Sequence, residues 1–278
     1  MFFYEILGMG IFMNNITLGL CQMKVTDSKR DNLEKAVQML EECSKSNVNI
    51  AILPEMFNCP YDTHSFLKYA ENIENSETVS VISAAAKYND IYVIAGSIPE
   101  INEGKIFNTS LAFDRNGQII GKHRKVHLFD VNIPNGIYFK ESDVLSGGNQ
   151  ITVFDTEYCR IGIAICFDIR FSQMYSEMSK AGAKIFITPG AFNMTTGPAH
   201  WELLTRARAL DNQVFHAAVS SARDTTANYV AYGNSMLCDP WGSILVRADE
   251  KEQIVISEID LDLIDSVRAQ IPVFNKIT

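Results

Sequence analysis

Cys166 stands at the end of an apolar run, Ile161-Gly162-Ile163-Ala164-Ile165, and Asp168 and Arg170 follow it at once. A buried strand that delivers a thiol into a sharp turn presents a nucleophile at a sheet edge. Alone the thiol means little, because buried cysteine is usually a small hydrophobe. Two further segments change its weight. Ile50-Ala51-Ile52-Leu53-Pro54 is another apolar strand and ends in Glu55. Gly121-Lys122-His123-Arg124-Lys125-Val126-His127 is a basic strand end that follows a hairpin. Together they offer a base, a cation and a nucleophile. A nearby lysine lowers a thiol's pKa and a carboxylate takes its proton. A lysine ammonium, or the backbone N–H after a nucleophile in a turn, stabilises an oxyanion. Glu, Lys and Cys in this set suit acyl transfer through a thioester.

The elements that must position these groups alternate along the chain. Ile16–Leu20 reads as the first strand. Asp27 or Ser28 caps a helix whose apolar positions Leu33, Ala36, Val37 and Leu40 share one face. Strands follow at Ile50–Leu53 and Tyr92–Gly96, with a helix over Val79–Tyr88 between them. Leu111–Phe113 and Ile119–Ile120 form a hairpin through an Asn-Gly turn, Asn116-Gly117. Residues 128–150 read as a long functional loop. The second half repeats the type. Strand Ile161–Ile165 precedes a helix over Phe171–Ala181, and strand Ile185–Thr188 precedes a helix over His200–Asn212. Strands at Phe215–Ser220, Ser235–Cys238, Ile244–Val246 and Ile254–Ile259 close the chain. This alternation predicts an α/β domain of two sheets covered by helices.

Composition removes several functional classes. The chain has 278 residues, 47% hydrophobic and 21% charged, enough for a large core. Its net charge is −9 and it has no long basic run, which argues against nucleic acid and anionic membranes as partners. No apolar stretch approaches the ~18 residues that span a bilayer. The six cysteines form no C-x-x-C pair, which argues against a disulfide framework or a zinc site and fits a reduced cytosolic setting. Residues 1–13 are apolar but lack a basic start and a small-residue cleavage site, and Glu5 interrupts them. They read as an extension outside the fold, which leaves 14–278 as a single domain.

Three ordered segments carry a family resemblance. Leu53-Pro54-Glu55, His123-Arg124-Lys125-Val126-His127-Leu128 and Ile165-Cys166-Phe167-Asp168-Ile169-Arg170-Phe171 are similar to the signature segments of the nitrilase (carbon–nitrogen hydrolase) superfamily. The likeness runs from about Ile16 to Phe274. Phe57-Asn58-Cys59-Pro60-Tyr61, Asn108-Thr109-Ser110 and Pro189 to Glu202 resemble the omega-amidase branch most. The resemblance implies a four-layer α-β-β-α sandwich, commonly a homodimer, with no metal or organic cofactor. It implies Glu55 as general base, Lys125 as oxyanion stabiliser, Cys166 as nucleophile and Glu141 as a second glutamate that positions the lysine and the hydrolytic water. It adds the Phe167 backbone N–H as an oxyanion donor, and Tyr61, Met194 and Thr195 as pocket residues. The loop Asp130 to Gly136 departs from the family in holding Asn132 and Asn135, where relatives more often carry Asp and no extra Asn.

The implied reaction is hydrolysis of the terminal amide of small 2-oxo dicarboxylic acid monoamides, such as alpha-ketoglutaramate and alpha-ketosuccinamate. A deaminated glutathione amidase is the alternative in the same class, and a non-catalytic binding protein the alternative outside it. Several residues admit two readings. Arg170 and Asp168 either bind a substrate carboxylate, Arg170 being the obvious candidate, or form an internal ion pair that shapes the turn. Asp143 competes with Glu141. His123 and His127, four apart, have metal-ligand spacing, but the basic flank opposes a cation and favours a structural role. His200-Trp201 packs beside the site.

Overall fold

The computed structural model describes residues 15–134 and 136–274. The extension expected over residues 1–13 and the loop residue Asn135 lie outside them. In chain order the elements are β1 (Asn15–Gln22), α1 (Lys29–Lys45), β2 (Ile50–Ile52), α2 (Thr63–Lys68), α3 (Glu77–Asn89), β3 (Tyr92–Ile94), β4 (Ile98–Asn102), β5 (Lys105–Phe113) and β6 (Ile119–Arg124). Then come β7 (Asp130–Asn132), β8 (Tyr138–Lys140), β9 (Thr152–Asp155), β10 (Arg160–Ile163), α4 (Ser172–Lys180), β11 (Ile185–Gly190) and α5 (Glu202–Asn212). The chain continues through β12 (Phe215–Ser220), β13 (Met236–Cys238), β14 (Ile244–Arg247), β15 (Gln253–Asp260) and α6 (Asp262–Gln270).

Two sheets carry the molecule. In the first, β1, β2 and β3 run parallel; β15 lies antiparallel on β1, and β5 lies antiparallel on β3, with β4 and β6 on β5. In the second, β10, β11 and β12 run parallel, with β9 antiparallel on one side and β13 and β14 on the other. Central parallel strands covered on both faces are apolar throughout rather than alternating, which is why Ile50–Ile52 and Ile185–Ile187 read as unbroken hydrophobic runs. The two-residue period still sorts their side chains. Leu18, Leu20, Ile50 and Ile52 meet Ile161, Ile163, Ile185 and Ile187 between the sheets. Ala51 and Val93 face Leu33, Ala36 and Leu40 of α1 and Ile82 and Ala86 of α3. Phe186 and Ala218 face Met174 and Met178 of α4 and Ala209 of α5. The order of layers is therefore α-β-β-α, as expected.

Local chemistry sets the ends of the elements. Ser28, not Asp27, caps α1: its side chain accepts the Asp31 N–H at 3.3 Å. The predicted hairpin turns at Gly117 (φ +76°), and Asp114 Oδ1 accepts the N–H groups of Asn116 and Gln118. Residues 128–150 are less of a loop than their composition suggests, since β7 and β8 pair there as a short hairpin. The sequence pattern did not report α2, β4, β9 or α6. In α6 only Ile264 and Val267 are buried, too few to show a period.

Candidate active site

Each candidate group sits just past a strand, where α/β folds gather their sites. Glu55 lies three residues beyond β2, in a turn that continues through Met56 at φ +50°. That turn is braced by Ser97, whose Oγ accepts the Met56 N–H at 3.0 Å. Gly96 (φ +41°) lets the chain pass so closely that a Cβ there would stand 1.9 Å from the Pro54 carbonyl oxygen. Lys125 directly follows β6. Arg124 before it turns away and grips Glu100 through two hydrogen bonds, at 2.8 and 2.7 Å. Lys125 turns inward and is fully buried. Cys166 opens a short 3-10 turn, residues 166–170, beyond β10, at φ +46°. A left-handed backbone at a non-glycine residue carries strain, which is frequent where a side chain must be presented.

The buried polar groups form one network. Lys125 Nζ donates to Glu55 Oε1 and to Glu141 Oε1, both at 2.9 Å, and more weakly to the Tyr61 hydroxyl at 3.4 Å. Glu141 accepts the Tyr61 O–H at 2.7 Å and, on its other oxygen, the Phe129 N–H at 2.6 Å. Glu55 Oε1 also accepts from Asn108 Nδ2 at 2.8 Å and from the Tyr61 O–H at 3.4 Å. Glu55 Oε2 is buried with no such partner. The Cys166 thiol, 3% exposed, lies near enough to Glu55, Lys125 and the Ala191 backbone N–H for each to act on its ionisation.

Electrostatics follow from this packing. Burial pushes Cys166 well above the usual thiol range, and the Glu55 charge adds to it; Lys125 and the Ala191 N–H only partly oppose them. Its resting form is the neutral thiol. Burial also raises Glu55, against the pull of Lys125. Burial works against the Lys125 charge, but Glu141 and Glu55 outweigh it and hold the ammonium protonated. A neutral thiol beside a carboxylate with one free oxygen can pass its proton only when attack begins. A thiol, a carboxylate and a fixed ammonium grouped in this way can supply a nucleophile, a general base and a charge for an oxyanion.

Other predicted residues fall into place or out of it. Asp143 is exposed and pairs with Lys140 at 3.0 Å, so Glu141 is the glutamate that reaches the lysine. Asp168 does not pair with Arg170. Its buried carboxylate takes the Ile165 and His127 N–H groups, at 3.1 and 2.8 Å, and faces ring nitrogens of His127 and His123 at 2.8 and 3.2 Å. Burial would raise Asp168, but the two histidines hold it well below the usual carboxylate range. His123 and His127 thus tie the Lys125 segment to the Cys166 turn. Arg170 reaches His200 Nδ1 at 3.3 Å and lies over the rings of Phe192 and Phe167, at 5.1 and 5.3 Å. Phe167 packs its ring on Phe129 at 5.4 Å. Tyr61 lines a cavity of about 620 Å³ together with Glu55 and Ala191. Met194 and Thr195 line a separate cavity of about 380 Å³, and Arg170 lines neither.

Three contributors carried no assigned role in the sequence. Asn108 anchors Glu55; its signal was a polar Asn-Thr-Ser run inside a strand whose neighbours are buried. Ala191 acts through a backbone N–H, which has no sequence signature. Tyr229 comes from an irregular segment far along the chain. Its hydroxyl donates to the Ala191 carbonyl at 2.5 Å and its ring lies 4.6 Å from that of Tyr61.

With this geometry in hand, the sequence matches the carbon-nitrogen hydrolase family model over residues 17–269. The chain belongs to the carbon-nitrogen hydrolase family. This hydrolase is 47% identical over 264 residues to Omega-amidase NIT2 of Mus musculus, covering 95% of both chains. It is 48% identical over 257 residues to Nitrilase homolog 2 of Dictyostelium discoideum, covering 92% of this chain and 78% of that one. Among solved structures, Saccharomyces cerevisiae Nit3, described as a member of branch 10 of the nitrilase superfamily, superposes with a TM-score of 0.87 at 39% identity over 93% of this chain and 95% of the other. The C. elegans NitFhit protein also reaches 0.87, at 29% identity, over 94% of this chain and 64% of that one. Among the described residues of this carbon-nitrogen hydrolase, no helix is long and apolar enough to cross a membrane.

Proposed function

We propose that the chain is an omega-amidase that hydrolyses the terminal amide of small 2-oxo dicarboxylic acid monoamides, alpha-ketoglutaramate and alpha-ketosuccinamate, to ammonia and the 2-oxo dicarboxylate. Identity of 47% to mouse Omega-amidase NIT2 over 95% of the chain supports the substrate class. The observation that carries the chemistry is Glu55, whose Oε1 is held by donors while its Oε2 is left free beside the Cys166 thiol.

The cycle balances with these groups alone. Glu55 takes the thiol proton as the sulfur attacks the amide carbon. The oxyanion is stabilised by Lys125 Nζ and the Phe167 backbone N–H. Lys125 has three N–H bonds, and its 3.4 Å contact to Tyr61 is the weakest, so that is the one it gives up to the oxyanion. The C–N bond breaks, the nitrogen takes the proton from Glu55 and ammonia leaves, which gives the Cys166 thioester. Glu55 then takes a proton from water, which attacks the thioester carbon; the C–S bond breaks and the proton returns to sulfur. Glu141 keeps Lys125 in place throughout. Tyr61, in the cavity that reaches Glu55, would contact the acyl chain, whereas Met194 and Thr195 line the other cavity and Arg170 lines neither.

Residues 14–278 would act as one catalytic domain, because the site draws side chains from both sheets. A homodimer is supported by an exposed apolar face on α5 and the β13–β14 turn, where Leu203 is 65%, Leu210 51% and Trp241 48% exposed. Six free thiols suit the reducing cytoplasm. The test is ammonia release from alpha-ketoglutaramate run beside deaminated glutathione, glutamine and a simple nitrile. Release from the 2-oxo amide in clear preference supports the reading. Preference for deaminated glutathione assigns the chain to the sister activity, and no release from any of the four refutes the substrate class.

A further inference from the structure

Two cavities share a boundary at Tyr229 and its neighbour Asn228, which line both, and the larger of them reaches Glu55. The larger runs from Lys24 and Lys68 inward to Glu55, Tyr61 and Ala191. The smaller is bounded by Gly136, Ile137, Met194 and Thr195. The Tyr229 ring is braced against Tyr61 at 4.6 Å and Phe139 at 5.7 Å. Its hydroxyl is tied to the Ala191 carbonyl at 2.5 Å, on the residue whose N–H acts on the Cys166 thiol. Burial raises the Tyr229 hydroxyl pKa well above the usual value, and the nearby Glu55 and Glu141 carboxylates add to that rise. An aromatic ring packed against two other rings and tied at its hydroxyl is a rigid divider.

We propose that Tyr229 is a specificity-determining wall: it keeps the two cavities apart beside Ala191 and so restricts the site to unbranched acyl chains. A linear chain lies within one cavity. A chain branched near the amide needs both at once and meets the ring. Truncating the ring joins the cavities; removing only the hydroxyl does not. The proposal deepens the amidase reading and rests on Cys166 as the nucleophile.

The test pairs Tyr229→Ala with Tyr229→Phe in two assays. The first measures kcat/KM for primary ω-amides with linear and with branched acyl chains. A pocket contact of methyl size shifts discrimination by about tenfold or more. Tyr229→Ala is therefore expected to raise the branched-to-linear ratio about tenfold, while Tyr229→Phe keeps the wild-type ratio whatever its absolute rate. The second assay needs no turnover. Peptide-level mass spectrometry follows alkylation of Cys166 by iodoacetamide and by N-benzylmaleimide. Wild type and Tyr229→Phe should react with the narrow reagent and resist the bulky one, and Tyr229→Ala should accept both. An unchanged ratio and unchanged bulky-reagent labelling in Tyr229→Ala overturns the wall, as does a Tyr229→Phe that shifts either assay as far as Tyr229→Ala. If wild type hydrolyses no amide, the functional reading fails while the labelling still decides the wall. Thermal melting confirms that each variant is folded.

Discussion

Glu55 shows how one carboxylate is divided between two tasks. Oε1 is immobilised by Lys125 and Asn108, while Oε2 remains available for a proton. Burial lifts Glu55 above the ordinary carboxylate range, and Lys125 limits the rise. A general base works only when deprotonated, so kcat/KM should fall as pH drops through that raised pKa. The Asn108 N–H favours the charged form. Asn108→Ala should therefore raise the Glu55 pKa further and move the acid limb of the profile to higher pH, because the charged form loses a hydrogen bond. A limb that stays put would remove Asn108 from the positioning of the base. Glu55 and Cys166 were legible because each ends an apolar run and differs sharply from it; Lys125 sits in a basic segment, Lys122-His123-Arg124-Lys125, and stood out through its place among the three ordered motifs. Asn108 was visible only as a residue type out of place in a strand, and Ala191 not at all, because its contribution is a backbone N–H.

Elements transmit the same precision through buried polar links. His216 on β12 joins α5 and β11: Nδ1 faces the Thr205 carbonyl at 3.0 Å, so it is the protonated nitrogen, and Nε2 accepts the Thr188 hydroxyl at 2.9 Å. The Tyr175 O–H of α4 then donates to Thr188 Oγ1 at 2.8 Å. Burial, with the Arg208 charge adding to it, pushes His216 down to about 3. The unfolded chain binds this proton below about 6.5 and the folded chain only near 3, so stability is lost as pH falls across that window, by about 1.4 kcal/mol per pH unit. His216→Gln removes that slope. The gap in Tm between wild type and variant should narrow as pH is lowered from 7 to 4.5, and a constant gap would contradict a buried neutral His216. Strand and helix order was readable from apolar runs and from the α1 and α3 periodicity. The β7–β8 hairpin was not, because Asp130-Val131-Asn132 and Tyr138-Phe139-Lys140 are exposed or half-buried and have no core face to produce a pattern.

At the scale of the molecule, the site exists because two sheets stack. Glu55 and Lys125 come from the first sheet, Cys166 and Ala191 from the second, and Ile-rich faces lock the two together. No local pattern reports that juxtaposition; the order of three motifs did so only through family resemblance. The outer face of α5 is a separate matter. Arg206 Nε donates to the Gly242 carbonyl at 2.8 Å, which brings Leu203, Leu210 and Trp241 onto one apolar patch. Patches of this kind mark interfaces. Sedimentation should find wild type as a dimer and Leu203→Glu/Trp241→Glu as a monomer of unchanged circular dichroism. A double variant that remains dimeric would place the interface elsewhere.

The most direct measurement is ammonia release from alpha-ketoglutaramate by wild type and by Cys166→Ala, with folding of both checked by thermal melting. Of the nucleophiles described in the network, Lys125 is held as an ammonium by Glu141 and Glu55 and burial raises the Tyr61 hydroxyl, which leaves the thiol to form the acyl bond. The account predicts rapid release by wild type and background release by a fully folded variant. Release by Cys166→Ala at near the wild-type rate would contradict it.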